Sequence, residues 1–344
     1  MRILQVGMGS WGRYWLRRMV PQVPEAEVVG CVDVDPEALA LTREQVEVPT
    51  ADRFFTSLPA ALSATEPDAV LVTTTLAHHV PVARAALESG RHVLVEKPFA
   101  PSVAEARELV DLAEARGLVL MVSQNYRYFP AARGAAGLVA QGGLGDLYEV
   151  EIDFRHRSTV VEAEGRRGHR ELAQPLLMDM SIHHFDLLRL VTGREPERID
   201  CHAWNSPWSG FDGPPSAVAT ILFPGVVVSY RGSWVNRGED TPWAGEWRMT
   251  FEHAEVSWTS RDLRGSTAGE QVLVRPQSGK PYASALPAVR LLDQAGSLAE
   301  FVDAVRTGRE PESSGRANLG SLALALAAVE SSERGAPVDL DRPA

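Results

Sequence analysis

Three clusters of residues have types and spacing that could do chemistry. The first is Gly7, Gly9 and Gly12, preceded by the apolar Ile3, Leu4 and Val6 and followed by a helix-like run over 13–20. G-x-G-x-x-G between a strand and a helix is the setting of a phosphate-binding turn. Gly7 permits the tight turn, Gly9 lets backbone approach a pyrophosphate, and Gly12 lets helix pack on strand. The helix N-terminus offers unpaired N–H groups to the phosphates. Asp33 ends a second apolar run, 28–32, and stands 21 residues after Gly12 (33 minus 12). A carboxylate there can accept hydrogen bonds from an adenosine ribose.

The second cluster is HVLVEKP over 92–98, where an apolar strand runs directly into Glu96, Lys97 and Pro98. In an open α/β sheet, ligands bind at the carboxyl ends of strands, so Lys97 stands where a nicotinamide and a substrate would meet. Pro98 holds Lys97 out of helix, and a cis bond at this position would turn the lysine into the crevice. A surface lysine after a strand is the competing reading. The third cluster is DMSIHHFD over 179–186. On a regular helix Asp179, His183 and Asp186 share one face, and His184 is turned about 100° away. The flanking residues are largely apolar, so the helix is buried and its polar groups need partners. An Asp–His pair can fix the tautomer of the ring and raise its proton affinity. A structural polar pair is one alternative. A zinc site is another, with no third ligand at standard spacing.

These pieces suggest a reaction. Hydride transfer from an alcohol carbon needs a base for the hydroxyl proton and a cation for the alkoxide-like charge. His183 suits the base and Lys97 the cation, or the two share a proton relay, with Asp179 tuning His183. With NAD present this chemistry needs no metal.

The elements that must position these residues follow from the patterning. Strand-like runs at 3–6, 28–32, 53–55, 69–73, 92–95 and 119–122 alternate with helix-like runs that include 36–44, 79–88 and 103–116. That alternation is the pattern of a parallel sheet covered by helices. Ser102 and Glu105 form a capping-box pair. After residue 124 the pattern changes. A helix over 131–141, a half-exposed strand over 147–154 and a helix over 177–192 are followed by strands near 198–204, 217–223, 226–235, 246–251, 256–259 and 271–274. Helices at 292–307 and 316–334 close the chain. The expected architecture is an α/β Rossmann domain, 1–122, plus an α+β substrate domain, 123–344, with an open, mainly antiparallel sheet. The closing helix is free to pack back on the first domain.

Length and composition narrow the function classes. A chain of 344 residues is too long for one typical core. With 44% hydrophobic and 23% charged residues it reads as an ordinary globular protein. A net charge of −11 without a long basic run argues against nucleic acid or an anionic membrane as partner. No apolar run approaches the roughly 20 residues of a membrane span. The chain opens on a strand rather than a leader-like segment. Cys31 and Cys201 lie in separate apolar runs and suggest no disulfide framework. A cytoplasmic protein is expected.

Taken together, the motifs resemble those of the Gfo/Idh/MocA family, which includes glucose–fructose oxidoreductase and inositol dehydrogenase. The resemblance covers GMGSWG over 7–12, then Asp33 with Asp35-Pro36, then the run from Asp68 through Thr74 and His79 to Glu96-Lys97-Pro98. It continues through Arg127 and Pro130, the Asp179–Asp186 pattern, and the closing segment over 321–340. It implies NAD(P)-dependent oxidoreduction of sugars, polyols or relatives, with an open second-domain sheet that joins copies into a homodimer or homotetramer. By position it implies Lys97, Asp179 and His183 as the catalytic trio. The cofactor contacts it implies are Gly7, Gly9, Ser10, Trp11, Gly12, Asp33, Thr74, His79, Glu96 and Lys97. Three places depart from the family pattern. Ser181 replaces a usual glycine, Ala173-Gln174-Pro175 replaces a glycine-rich lead-in, and Thr75-Leu76 replaces a common Pro-Asn pair.

Asp33, followed by Val34 and Asp35, would repel a 2′-phosphate, which favours NAD over NADP. Asn125, Tyr126, Arg127, Arg155 and His184 are candidate substrate contacts. The basic loop over 158–174, with Arg166, Arg167, His169 and Arg170, reads either as a solvated connection or as a clamp for an acidic sugar. Trp204, Trp208, Trp234, Trp243 and Trp247 suit a sheet core or an oligomer face before a sugar platform. Two other functions fit the same pattern: a cofactor-sensing regulatory protein, and an enzyme that retains NAD for redox-assisted elimination or epimerisation.

Overall fold

The computed structural model describes residues 1–46, 53–158 and 168–340. The chain divides into two compact units, Met1–Asn125 with Arg290–Leu319, and Tyr126–Val289 with Gly320–Ala344.

The first unit is built on strands β1 (Arg2–Val6), β2 (Glu27–Val32), β3 (Phe54–Phe55), β4 (Ala69–Val72), β5 (His92–Val95) and β6 (Leu120–Val122). They form a wholly parallel sheet in the order β3-β2-β1-β4-β5-β6. The order reverses between β1 and β4, which opens the ligand crevice of a doubly wound fold at their carboxyl ends. The strands are continuous apolar runs because helices cover both faces. The helices are α1 (Ser10–Tyr14), α2 (Pro36–Gln45), α3 (Leu58–Thr65), α4 (Leu76–Glu88) and α5 (Val103–Ala115). Past Tyr14 the chain continues through a π-helical turn, Trp15–Met19, and a 3-10 turn, Val20–Gln22. The Asp35 carboxylate caps α2 by accepting from the Glu37 N–H (2.9 Å). The Ser102 hydroxyl accepts from the Glu105 N–H (3.2 Å) and donates to the Glu105 carboxylate (2.8 Å), so the expected cap forms.

The second unit holds α6 (Pro130–Gln141), β7 (Leu147–Arg155), α7 (Ile182–Thr192), β8 (Arg198–Trp204), β9 (Ser216–Phe223), β10 (Val226–Ser233), β11 (Glu246–Phe251), β12 (Ala254–Thr259), β13 (Gln271–Pro276) and β14 (Tyr282–Ala283). Its sheet runs β14-β13-β12-β11-β7-β10-β9-β8, ending on β15 (Val338–Asp339). Every pairing is antiparallel except β7 with β10. Alternation sends Phe154, Tyr230 and Trp247 into a core shared with Phe185 and Leu188 of α7. The opposite face carries Val218, Thr220 and Leu222 of β9 beside Arg231, Ser229 and Val227 of β10.

The expected boundary after residue 122 differs from this division. The chain passes between the units at 125/126, 289/290 and 319/320. Helix α8 (Asp293–Thr307), read from sequence as part of the second domain, belongs to the first unit, where it packs on β5 and the turns after α1. Helix α9 (Gly315–Arg334) carries the last crossing. Among the described residues, no helix is long and apolar enough to cross a membrane.

One buried ion pair anchors α7. Arg127 Nε and Nη2 donate to Asp186 Oδ2 and Oδ1 at 2.6 and 2.7 Å, with side chains 8% and 2% exposed. Ser321 of α9 donates to Asp186 Oδ1 (2.7 Å) and accepts from Arg189 (2.8 Å). Removing one partner strands a charge in the core. Arg127→Met should lower the stability of the second unit by about 3–5 kcal/mol in a denaturant titration. The double variant Arg127→Met with Asp186→Leu should recover most of that loss, and an equal loss in both would show that the pair is not what holds α7.

Candidate active site

In the first unit the glycine loop leaves β1 and enters α1. Gly7 has φ +101°, and a Cβ there would stand 2.6 Å from the Thr74 backbone nitrogen. A Cβ on Gly12 would stand 1.9 Å from the Gly7 carbonyl oxygen. Both glycines are therefore required by the protein itself. Gly9 differs, because nothing lies within 4 Å of where its Cβ would be. The open space over Gly9, with Ser10 and Trp11 exposed beside it, fits a close-approaching pyrophosphate. The loop is held from below. Thr73 Oγ1 donates to the Gly7 carbonyl (2.8 Å), and Gln5 Nε2 donates to the Gly12 carbonyl (2.9 Å).

Asp33 follows β2. Its Oδ2 accepts from the Met8 N–H (2.6 Å) and its Oδ1 from the Asp35 N–H (2.9 Å), so the carboxylate is fixed against the glycine loop. Thr74 and His79 flank the end of β4. The His79 ring is buried, with Nδ1 at 2.8 Å from the Pro98 carbonyl oxygen and Nε2 at 3.1 Å from that of Thr74. Burial pulls its pKa down against the pull of those carbonyls. His79 thus braces the β4 and β5 ends.

Glu96, Lys97 and Pro98 follow β5, and the Lys97–Pro98 peptide is cis. Lys97 is half-buried. The Glu96 carboxylate is buried and accepts from the indole N–H of Trp15 (2.8 Å). Burial raises the Glu96 pKa, and Trp11, Lys97 and Trp15 oppose that rise. Asn125, expected as a substrate contact, donates through its side-chain amide to Asp293 of α8.

In the second unit the helix carrying DMSIHHFD begins as a π-helical turn, Leu177–Ser181, before α7. The Ser181 N–H reaches back five residues to the Leu176 carbonyl (2.8 Å). The wider turn alters the angle between Asp179 and His183 from that of the regular helix assumed from spacing. His183 is buried, and its ring stacks on Tyr126 with centroids 4.2 Å apart and planes 5° apart. The Arg261 guanidinium lies over Tyr126 at 4.9 Å and over Trp243 at 5.7 Å.

His184 faces elsewhere, as its rotation implies. It is fully buried, with Nε2 at 3.1 Å from the Trp243 carbonyl oxygen and Nδ1 at 3.2 Å from the Tyr230 hydroxyl. Burial pushes its pKa down to about 4, so the ring is neutral at pH 7. A neutral ring donates once, to the carbonyl, and accepts from Tyr230. Ser181 shares a hydrogen bond of 2.7 Å with the same Tyr230 hydroxyl, which gives the serine at this position a definite job.

Two other expected substrate contacts have protein partners. The Arg127 guanidinium is taken by Asp186. Arg155, at the end of β7, pairs with Glu246 (2.7 Å) and Asp153 (3.5 Å). In the basic loop, Arg166 and Arg167 lie outside the described residues, and Arg170 donates to the Ser158 carbonyl (3.1 Å). The motifs did not single out Trp15, Tyr230 or Arg261. One sequence signal does bear on Lys97: of 34 basic residues, Lys97 and Lys280 are the two lysines.

Comparison with known proteins decides the family. Residues 1–124 match the sequence model of the Gfo/Idh/MocA oxidoreductase family with an NAD-binding Rossmann fold, and residues 132–255 match the C-terminal domain of the same family. The chain belongs to the Gfo/Idh/MocA family. It is an NAD-binding oxidoreductase. D-apiose dehydrogenase of Paraburkholderia graminis is 27% identical to it over 352 residues, covering 97% of this chain and 88% of the relative. An Agrobacterium radiobacter oxidoreductase solved with NAD+, L-tartaric acid and magnesium shares the fold with TM-score 0.85 at 20% identity, covering 98% of both chains. Aldose–aldose oxidoreductase of Caulobacter crescentus, solved with glycerol, superposes with TM-score 0.82 at 22% identity, covering 99% of both.

The glycines separate packing from binding. Gly9→Ala should keep the thermal midpoint of the wild type and weaken NADH binding by about tenfold or more, as read by fluorescence titration. Gly12→Ala should lower both. Unchanged NADH affinity in Gly9→Ala would remove the pyrophosphate from that place.

Proposed function

We propose that this protein is an NAD-dependent dehydrogenase or reductase that moves a hydride between nicotinamide and a hydroxyl-bearing carbon of a sugar, polyol or derivative. The observation that carries the reading is Lys97, a rare lysine held half-buried at the carboxyl end of β5 and tied through Glu96 to the helix after the glycine loop. The named activity of the D-apiose relative supports the substrate class. Bound NAD supplies the hydride acceptor. The Lys97 ammonium stabilises negative charge on the substrate oxygen as the C–H bond breaks. The His183 imidazole, set by its stack on Tyr126, takes the hydroxyl proton, and Asp179 tunes that imidazole. Asp33, with Asp35 beside it and an exposed Val34, favours NAD over NADP by charge. The buried free thiols of Cys31 and Cys201 support a reducing, cytoplasmic setting.

On a panel of sugars and polyols monitored at the NADH absorbance, Lys97→Ala and His183→Ala should each lower kcat by about 10²–10⁴-fold and leave NADH affinity nearly intact. No turnover by the wild type despite tight NADH binding would favour a sensor. Tighter binding of NADPH than NADH would overturn the reading of Asp33.

The outward face of the second sheet is the proposed self-association surface. It exposes Tyr148, Val218, Leu222 and Val227 among cross-strand ion pairs such as Arg248–Glu151 (3.3 Å) and Arg275–Glu255 (3.2 Å). Light scattering should give a multiple of the 37.4 kDa chain mass, and Leu222→Lys should reduce it. A monomeric wild type would sink this assignment.

A further inference from the structure

We propose that His184 is the positioning residue of its neighbour His183. A one-way chain of hydrogen bonds, from Ser181 to Tyr230 to His184 to the Trp243 carbonyl, fixes the π-helical turn and ties the helix that carries the base to the aromatic wall around it. This rests on the reading of His183 as the group that takes the hydroxyl proton.

The direction of the chain follows from its end. A carbonyl oxygen only accepts, so His184 Nε2, 3.1 Å from the Trp243 carbonyl, carries the ring proton. The ring is neutral, so its Nδ1 accepts, and the Tyr230 hydroxyl at 3.2 Å donates to it. A tyrosine hydroxyl has one proton to give, so Ser181 at 2.7 Å donates to the tyrosine oxygen. Ser181, Tyr230 and His184 are all buried, and a group there that loses its partner has no bulk water to replace it. Room for the Tyr230 hydroxyl is built into β10, where a Cβ on Gly232 would stand 2.6 Å from it.

The far end of the chain is held as firmly. The Trp243 N–H donates to the Arg261 carbonyl (2.8 Å). The Trp243 ring lies 4.2 Å from that of His156, whose Nε2 is 2.7 Å from the Thr241 carbonyl oxygen. Arg261 takes φ +55°, a left-handed conformation uncommon outside glycine, and its backbone N–H donates to Glu270 (2.9 Å). From there its guanidinium lies over Trp243 and Tyr126, and Tyr126 stacks on His183. His183, Tyr126, Arg261, Trp243 and His184 thus close a ring of contacts, completed by the peptide bond between the two histidines. The Arg127–Asp186 pair anchors the helix as a body. The Ser181–Tyr230 bond acts upstream, on the last residue of the π turn, and sets the rotation at which the helix presents Asp179 and His183.

Tyr230→Phe keeps the ring and deletes the hydroxyl, and Ser181→Ala removes the first donor. The full-length protein is labelled with carbon-13 at histidine Cε1, and the His183 resonance, identified by its loss in His183→Ala, is titrated by NMR. Tyr230→Phe should move the His183 pKa by about half a pH unit or more. On the sugar panel it should lower kcat about tenfold, with little change in the KM for sugar or in NADH affinity. Ser181→Ala should act in the same sense to a smaller degree, and the double variant should lose no more than Tyr230→Phe alone. His184→Gln, which keeps a donor and an acceptor, should retain more activity than His184→Leu. An unmoved His183 pKa in folded Tyr230→Phe would overturn the proposal, whatever the thermal midpoint. Should Tyr230→Phe fail to fold, the His183 pKa in Ser181→Ala decides. A pKa that moves in a protein whose kcat is indifferent to His183→Ala would uphold the chain and remove the reading of His183 as base.

Discussion

The Arg127–Asp186 pair is the constraint on which the second unit turns. Neither charge reaches water, so each must be answered by the other in a fixed bidentate geometry. Arg127 is the second residue of this unit, and Asp186 sits in the first half of α7. Their bond sets the entering 3-10 turn, Asn125–Tyr128, against the helix. Tyr126 and His183, each within three residues of a member of the pair, are thereby brought ring to ring. Ser321 extends the hold to α9. The buried imidazole proposed as the base owes its place to a salt bridge that does no chemistry.

The first unit was legible in sequence to an unusual depth. Its strands are largely apolar runs, and its glycines lie where backbone sterics allow nothing larger at Gly7 and Gly12. Such signals are local, so a single sequence carries them. The cap at Ser102 and the strand end at Lys97 are of the same kind. The return of α8 to this unit was not legible. An amphipathic pattern says that a helix buries one face and is silent about which core receives it.

The site in the second unit shows the same divide. The helix with Asp179, His183 and His184 is legible from spacing, and the divergent directions of the two histidines follow from it. The π turn at Leu177–Ser181 escaped, because an extra residue in a turn answers to packing rather than to local preference. In sequence Arg127 and Arg155 look like cations facing substrate, because each follows or ends a strand. Their carboxylate partners, Asp186 and Glu246, stand 59 and 91 residues away, beyond any local pattern. Of the tryptophans, Trp234 and Trp247 lie in the core, whereas Trp204 and Trp208 are exposed.

The three passages of the chain between units bear on how such a protein can be divided. A fragment ending at Asn125 would keep all six parallel strands and lose α8 with Ser313 and Ser314. Those serines pair with the edge strand β6 at Met121 and Val122. A fragment starting at Tyr126 would carry α8 as an orphan, its apolar face without the core it was shaped for. No single proteolytic cut or gene truncation yields either unit whole. In the language of gene architecture, the second unit interrupts the first and is itself completed by the tail, so neither is encoded by one continuous stretch of the chain.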